Sequence, residues 1–258
     1  MKRVVACAAL TALALVGCAW APEPTPESAT SEDTLSGSIN VFAAASLTES
    51  FEQLKTEFLK AHPDVEITFN LGGSSALAEQ IVQGAPADVF AAASPATMAT
   101  IVDASLAGEP VDFASNTLEL AVPTDNPAGV KALADLELPD LKVAFCAAEV
   151  PCGAATVAVL ESSRLTITPD TYEQDVKAVL TKVVLGEVDA GLVYKTDVLA
   201  AGDAVLGIEI PEATGAVNLY PIAMLADSRN AEAAEAFVAW VLSPEGQESL
   251  QSWGFGAP

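Results

Sequence analysis

Between Ile39 and Phe58 the chain makes one move that limits what it can fold into. Ile39 to Ala45 is a short apolar strand of small and β-branched residues, suited to a buried position. At Ser46 it turns into a helix carrying Leu47, Phe51, Leu54 and Phe58 on one face. Ser46 and Glu49 have the S-x-x-E spacing of a capping box, which predicts that the helix starts at Ser46. A strand that feeds a helix leaves free backbone N–H groups at its carboxyl end, aimed into a crevice. Such a place attracts anions. Taken alone, the stretch says only that Ser46 caps a helix.

The same move recurs along the chain. Val65 to Leu71 is predicted as a strand, followed by Gly72-Gly73-Ser74-Ser75 and a helix from Ala76 to Gln83 ended by Gly84. Asp88 to Ala92 is a short strand, and Ser94-Pro95 opens another helix with proline at its first position. Thr117 to Val122 and Leu141 to Cys146 read as strands. Pro151-Cys152-Gly153 begins a helix running to about Ser163. Asp175 caps a helix from Val176 to Leu185, stopped by Gly186. Ala190 to Tyr194 and Val217 to Leu225 are strands, and Ala231 to Leu242 is a helix. This alternation predicts an α/β fold of parallel sheets with helices on both faces.

Ahead of the folded part, Lys2 and Arg3 precede an apolar run from Val4 to Val16, too short to span a bilayer comfortably. Residues 1–17 therefore read as a signal peptide. Its end, Leu15-Val16-Gly17-Cys18, resembles a bacterial lipobox, which would make Cys18 the lipidated first residue of the exported chain. Residues 18–36 are rich in Pro, Glu, Ser and Thr and read as a flexible tether. Some 220 residues follow, enough for two modest lobes or one large domain. The formal charge of −24, from 35 acidic against 11 basic residues, leaves no basic patch, which argues against nucleic acid as a partner.

Of the four cysteines, Cys7 leaves with the signal and Cys18 is the lipid site. Cys146 and Cys152 remain, in a chain sent to an oxidising compartment, and are expected to form a disulfide closing a small loop. Metal ligation is the poorer reading, because His62 is the only histidine and precedes Pro63 at a helix end. A serine hydrolase finds little support: there is no G-x-S-x-G, and the lone histidine is far from Ser46 and Ser74 in sequence.

Gly72-Gly73-Ser74-Ser75 deserves a second reading beside Ser46. Its glycines let backbone approach a ligand closely, and its serines add hydroxyl donors. Taken singly it is a common turn. Cys152-Gly153 and Asp175-Val176 are two further helix starts that would present N–H groups in the same way. Read as four starts with no Lys or Arg beside them, they suggest an anion held by dipoles and hydrogen bonds and not by ion pairs.

The segments Val-Phe-Ala-Ala-Ala-Ser-Leu (41–47), Gly-Gly-Ser-Ser-x-Leu-Ala-x-Gln-Ile (72–81), Gly-Ala-Pro-Ala-Asp-Val-Phe (84–90), Pro-Cys-Gly (151–153), Ala-Gly-Leu-Val-Tyr (190–194) and Tyr-Pro-Ile-Ala (220–223) occur in order. Together they resemble the molybdate-binding protein of bacterial ABC importers, over essentially all of residues 38–258. The Val-Pro-Cys-Gly variant and the lipobox resemble the lipoprotein form found in actinobacteria. The resemblance implies a type II periplasmic-binding-protein fold, in which two α/β lobes joined by two crossover strands hold an oxyanion between them. Lobe one is expected at 37–118 plus 220–258 and lobe two at 119–219, with crossings at Thr117–Pro123 and Val217–Met224.

The ligand donors it implies are Ser46 and Ser74 from the first lobe. From the second come the backbone N–H groups of Cys152 and Val176 and the phenol of Tyr194. The molybdenum would be present only as molybdate, with no cofactor and no catalysis. Tungstate is a further expected ligand, and sulfate or another tetrahedral oxyanion the alternative. The implied partner is an ABC permease, met by a monomer anchored through Cys18 on the outer face of the cytoplasmic membrane. Because every expected contact is a donor, the site should take fully deprotonated dianions and reject phosphate.

Overall fold

The computed structural model describes residues 35–258. The segment read as a signal (1–17), the expected lipid site at Cys18 and the expected tether as far as Thr34 lie outside the described residues. In chain order the elements are β1 (Ser36–Ala44), α1 (Thr48–Ala61), β2 (Asp64–Gly72), α2 (Ser74–Val82), β3 (Val89–Ala91), α3 (Pro95–Asp103), β4 (Val111–Asn116), β5 (Leu118–Pro123), β6 (Val143–Cys146), α4 (Pro151–Ser163), β7 (Thr171–Glu173), α5 (Val176–Val184), β8 (Ala190–Tyr194), α6 (Lys195–Ala201), β9 (Val205–Ile208), β10 (Asn218–Met224), α7 (Ala231–Leu242) and α8 (Pro244–Ser252).

The strands form two five-stranded sheets, ordered β2-β1-β3-β10-β4 and β7-β6-β8-β5-β9. Each sheet centres one lobe. In the first, β1 is buried on both faces from Val41 to Ala44, which is why that stretch is continuously apolar. Val41 and Ala43 point into a core shared with α1, α7 and α8, while Phe42 points into a second core with α2 and α3. Phe51 and Phe58 of α1 are fully buried, and the Phe51 ring lies 5.9 Å from Phe113 and 6.1 Å from Phe237. Burying each such ring contributes about 1.5–3 kcal/mol. The second sheet has one continuous core, and Val179 and Val183 of α5 pack directly over Gly191 of β8.

Neither sheet is purely parallel, contrary to the expectation from alternation. The order β2-β1-β3 is parallel, and β10 is antiparallel to both β3 and β4. In the second sheet β7-β6-β8 is parallel, and β5 is antiparallel to β8 and β9. The reason is topological: β5 and β10 each arrive from the other sheet. Strand–helix alternation fixes direction only where a helix makes the return within one sheet. Pro221, which cannot donate to a ladder, is accommodated in the doubly flanked β10 by a bulge after Tyr220.

The chain passes between the lobes at single residues. β4 ends at Asn116 in the first sheet and β5 begins at Leu118, which pairs with Tyr194 in the second. The return lies at Val217, since Ala213 and Ala216 still pack on the second core while Asn218 pairs with Asn116. The segments expected as crossings are therefore strands belonging wholly to one sheet, apart from Thr117 and Val217. Leu118 belongs to the second lobe, and Asn218 and Leu219 to the first.

Candidate functional site

A small pocket lies where the carboxyl ends of the two sheets face each other. Ser46, Ser74, Cys152, Val176 and Tyr194 all line it, together with Gly73, Ala93, Gln174 and Asp175. Each of the five sits at the end of a strand or in the first turn of a helix. Ligands of open α/β sheets bind at such ends.

Ser46 reaches the pocket by a route the capping box did not foresee. Ala45–Leu47 forms a 3-10 turn and α1 starts at Thr48, with no side-chain cap. The Ser46 hydroxyl is instead 2.9 Å from the phenol of Tyr220, which is fully buried. Glu49, the other half of the expected box, leaves the turn altogether and takes the Lys177 ammonium at 2.8 and 2.9 Å. A long-range partner thus wins each side chain over the local cap.

Ser74 opens α2 behind Gly73. Its oxygen accepts the Ala93 N–H at 3.0 Å, so the Ser74 proton remains to be given to something else. Pro151 opens α4 without an N–H, which makes the Cys152 amide the first one that helix offers. The loop before it is shaped by the Cys146–Cys152 disulfide and by Gly153, where a Cβ would fall 1.7 Å from the Ala147 carbonyl oxygen. Asp175 caps α5 as expected by accepting the Ala178 N–H at 2.9 Å. This leaves the Val176 amide without an intrahelical acceptor.

Tyr194 ends β8, and its phenol accepts from Asn218 Nδ2 at 2.9 Å. Burial pushes the pKa of both phenols, Tyr194 and Tyr220, above the ordinary phenol value. Both therefore remain neutral hydroxyls at physiological pH.

The lobes touch around the pocket. Ser75 Oγ donates to the Glu149 carbonyl at 3.0 Å. A Cβ on Gly73 would fall 2.3 Å from the Gln174 carbonyl oxygen, so only glycine permits this approach. Lys177 joins Glu49 of the first lobe to Asp197 of the second, the latter at 3.2 Å. This corrects the expectation that no cation stands beside the four helix starts. Lys177 directly follows Val176, but its charge is met by two carboxylates and does not line the pocket. Asp197 is fully buried, and desolvation pushes its carboxyl up to about 6 against the opposing pull of Lys177.

The residues missed by sequence reasoning are those behind the lining. Tyr220 was visible only as part of a segment returning the chain to the first lobe. Asn116 and Asn218 carried no motif; they are register partners at the ends of β4 and β10, and Asn116 Nδ2 donates to Thr196 Oγ1 at 2.8 Å. His62, the remaining general-base candidate, stacks on Phe58 with centroids 4.6 Å apart and is absent from the pocket lining. What converges on the pocket is a set of neutral donors.

Comparison with known proteins gives this arrangement a family. The model of the bacterial extracellular solute-binding proteins matches residues 39–256. The molybdate-binding protein ModA of Mycobacterium tuberculosis H37Rv is 42% identical over 222 residues, covering 86% of this chain and 85% of its own. A Bacillus subtilis relative provisionally named as an ABC transporter substrate-binding lipoprotein, YvgL, is 31% identical over 99% of this chain and 98% of its own. The solved periplasmic molybdate-binding protein of Azotobacter vinelandii superposes with a TM-score of 0.73 at 20% identity, covering 85% of this chain and 99% of that one. The two lobes thus have the periplasmic-binding-protein fold, in which the role is binding and not catalysis. The chain belongs to the bacterial extracellular solute-binding protein family, together with the molybdate-binding proteins ModA.

Proposed function

We propose that this protein captures molybdate, and tungstate as a second ligand, between its lobes and delivers it to an ABC permease. The observation that carries the reading is the convergence of uncharged donors from both lobes on one small pocket. Ser46, Ser74 and Tyr194, which carry hydroxyls, and Cys152 and Val176, each in the first turn of a helix, line that pocket. Helix N-termini stabilise negative charge by their unpaired N–H groups and aligned dipoles. Asp175, the carboxylate at the lining, already accepts the Ala178 N–H.

The formal charge of −24 repels a dianion at long range, but salt screens that field beyond about 10 Å. Capture then rests on the short-range donors. The likeness to mycobacterial proteins named as molybdate-binding supports molybdate as the oxyanion, and the likeness to YvgL, named as a lipoprotein, supports anchoring through Cys18 on the outer face of the membrane. Titration calorimetry of the full chain with molybdate, tungstate, sulfate and phosphate is the test. Sulfate binding more tightly than molybdate, or no binding of molybdate, would overturn the reading.

A further inference from the structure

We propose that Asn218 is a specificity-determining residue: by donating to the Tyr194 phenol from behind, it leaves that oxygen only a proton to present to the pocket, which excludes oxyanions that still carry a proton. This rests on the oxyanion reading above and names the group that sets one part of its selectivity.

The carboxamide of Asn218 has a fixed sense. One N–H donates to the Ala93 carbonyl at 3.0 Å and the other to the Tyr194 phenol at 2.9 Å. Reversing the amide would set its oxygen against the Ala93 carbonyl oxygen, so the nitrogen must face both acceptors. A phenol oxygen has one good in-plane acceptor direction, because its other lone pair is delocalised into the ring. Asn218 fills that direction. The Tyr220 phenol is the other polar neighbour of this hydroxyl, but it leaves the Asn218-filled acceptor direction unchanged, and Tyr194 lines the pocket.

The same peptide segment sets the second hydroxyl. The Ala93 N–H donates to Ser74 Oγ, while the Ala93 carbonyl holds Asn218. Residue 93 thus engages both sides of the cleft: its N–H takes one of the two lone pairs of Ser74, and its carbonyl fixes the amide that fills the acceptor direction of Tyr194. Asn218 is 9% exposed and begins β10 just after the Val217 crossing, so water competes little for these bonds. A ligand bearing O–H would meet a donor where it needs an acceptor, and its buried proton would go unpaired.

The test is titration calorimetry of the full chain at pH 7 with molybdate, sulfate and phosphate. Of these, phosphate alone keeps a proton. The variants are Asn218→Leu, Asn218→Asp, Tyr194→Phe and the double variant Asn218→Leu/Tyr194→Phe. Freed from Asn218, the phenol can rotate and accept, so Asn218→Leu should narrow the preference for molybdate over phosphate by roughly tenfold or more. In the Tyr194→Phe background the same change should move that ratio less than threefold, which a merely structural role for Asn218 does not predict. If Asn218→Leu does not fold, Asn218→Asp serves in its place, since its carboxylate would draw the phenolic proton away from the pocket and narrow the ratio likewise.

A ratio unchanged by either variant overturns the inference alone, as does an equal change with and without the Tyr194 hydroxyl. A wild-type chain that binds sulfate but not molybdate overturns the molybdate reading and leaves the ratio to be read with sulfate. A chain that binds none of the three overturns both.

Discussion

Replacing Gly73 with alanine separates folding from closure of the cleft. Gly73 has φ −61° and ψ 125°, a conformation open to any residue. The first lobe should therefore fold with alanine in place, and the stiffer unfolded chain would even add about 0.4–1 kcal/mol. Across the cleft the sign reverses. A Cβ on residue 73 lies 2.3 Å from the Gln174 carbonyl oxygen and 3.6 Å from Asp175 Cβ, both at the start of α5. Relief to ordinary contact at 3.4 Å requires the lobes to part by about 1 Å, which carries a hydrogen bond of usual length out of range. The Val176 amide, next along the chain, would lose its reach first. One bond to a charged ligand is worth about 1.5–3 kcal/mol, so molybdate affinity should fall by about 10- to 150-fold, and further if Cys152 is also lost. Calorimetry reads the affinity and the thermal midpoint controls for folding. A Gly73→Ala chain with an unchanged midpoint that binds molybdate within threefold of wild type would refute the idea that this contact belongs to the loaded state.

Ser74→Ala should cost roughly tenfold to a hundredfold in molybdate affinity by removal of one charge-assisted bond. It should also cost about 1–3 kcal/mol of stability, since the buried Ala93 N–H loses its acceptor; unchanged urea unfolding would contradict this. Replacing Cys146 and Cys152 by alanine opens a loop of sequence separation 6, so the stability loss should be about 2 kcal/mol. The larger effect should fall on affinity, and mass spectrometry finding free thiols in the exported wild type would remove the premise. Asp197 is raised from 3.8 to about 6 by burial, so the folded state holds its proton more tightly than the unfolded. Stability should therefore be greatest below pH 4 in this respect and fall by about 3 kcal/mol as pH rises to above 6. Asp197→Asn should flatten that part of the profile in denaturant titrations, and parallel profiles for variant and wild type would count against it.

Much of the pocket was legible because its lining is local. Ser46, Ser74, Cys152 and Val176 each stand where an apolar run meets a turn residue and a helical period, and those signals span only a few positions. α7 and β8 fall where the pattern put them, from Ala231 to Leu242 and from Ala190 to Tyr194. What escaped is set by distant partners. β4 begins with the exposed Val111 and Asp112, so its burial pattern is too weak to read. The Ser46–Tyr220 bond spans 174 positions and the Asn218–Tyr194 bond 24, and no local propensity encodes either. Glu49 and Ser46 show the limit most clearly. Their spacing is that of a capping box, yet tertiary partners on other elements take both side chains. The antiparallel strands were hidden for a related reason, since their direction depends on which sheet the chain has just left.

Thr117 and Val217 carry the chain between lobes side by side, because Asn116 and Asn218 are register partners. A body tethered at one point can turn about three axes. Tethered by two short neighbouring links, it keeps only the rotation whose strain both links can share. Opening of the cleft is thereby reduced to a single angle about a line through those links, with swivel and slide suppressed. Displacement in such an opening grows with distance from that line, so Gly73 and Gln174 at the rim would travel farther than the Asn218–Tyr194 pair, whose asparagine directly follows Val217. On the oxyanion reading proposed above, an incoming anion would meet the phenol already oriented before the lobes move, and the remaining donors would swing in along one fixed arc.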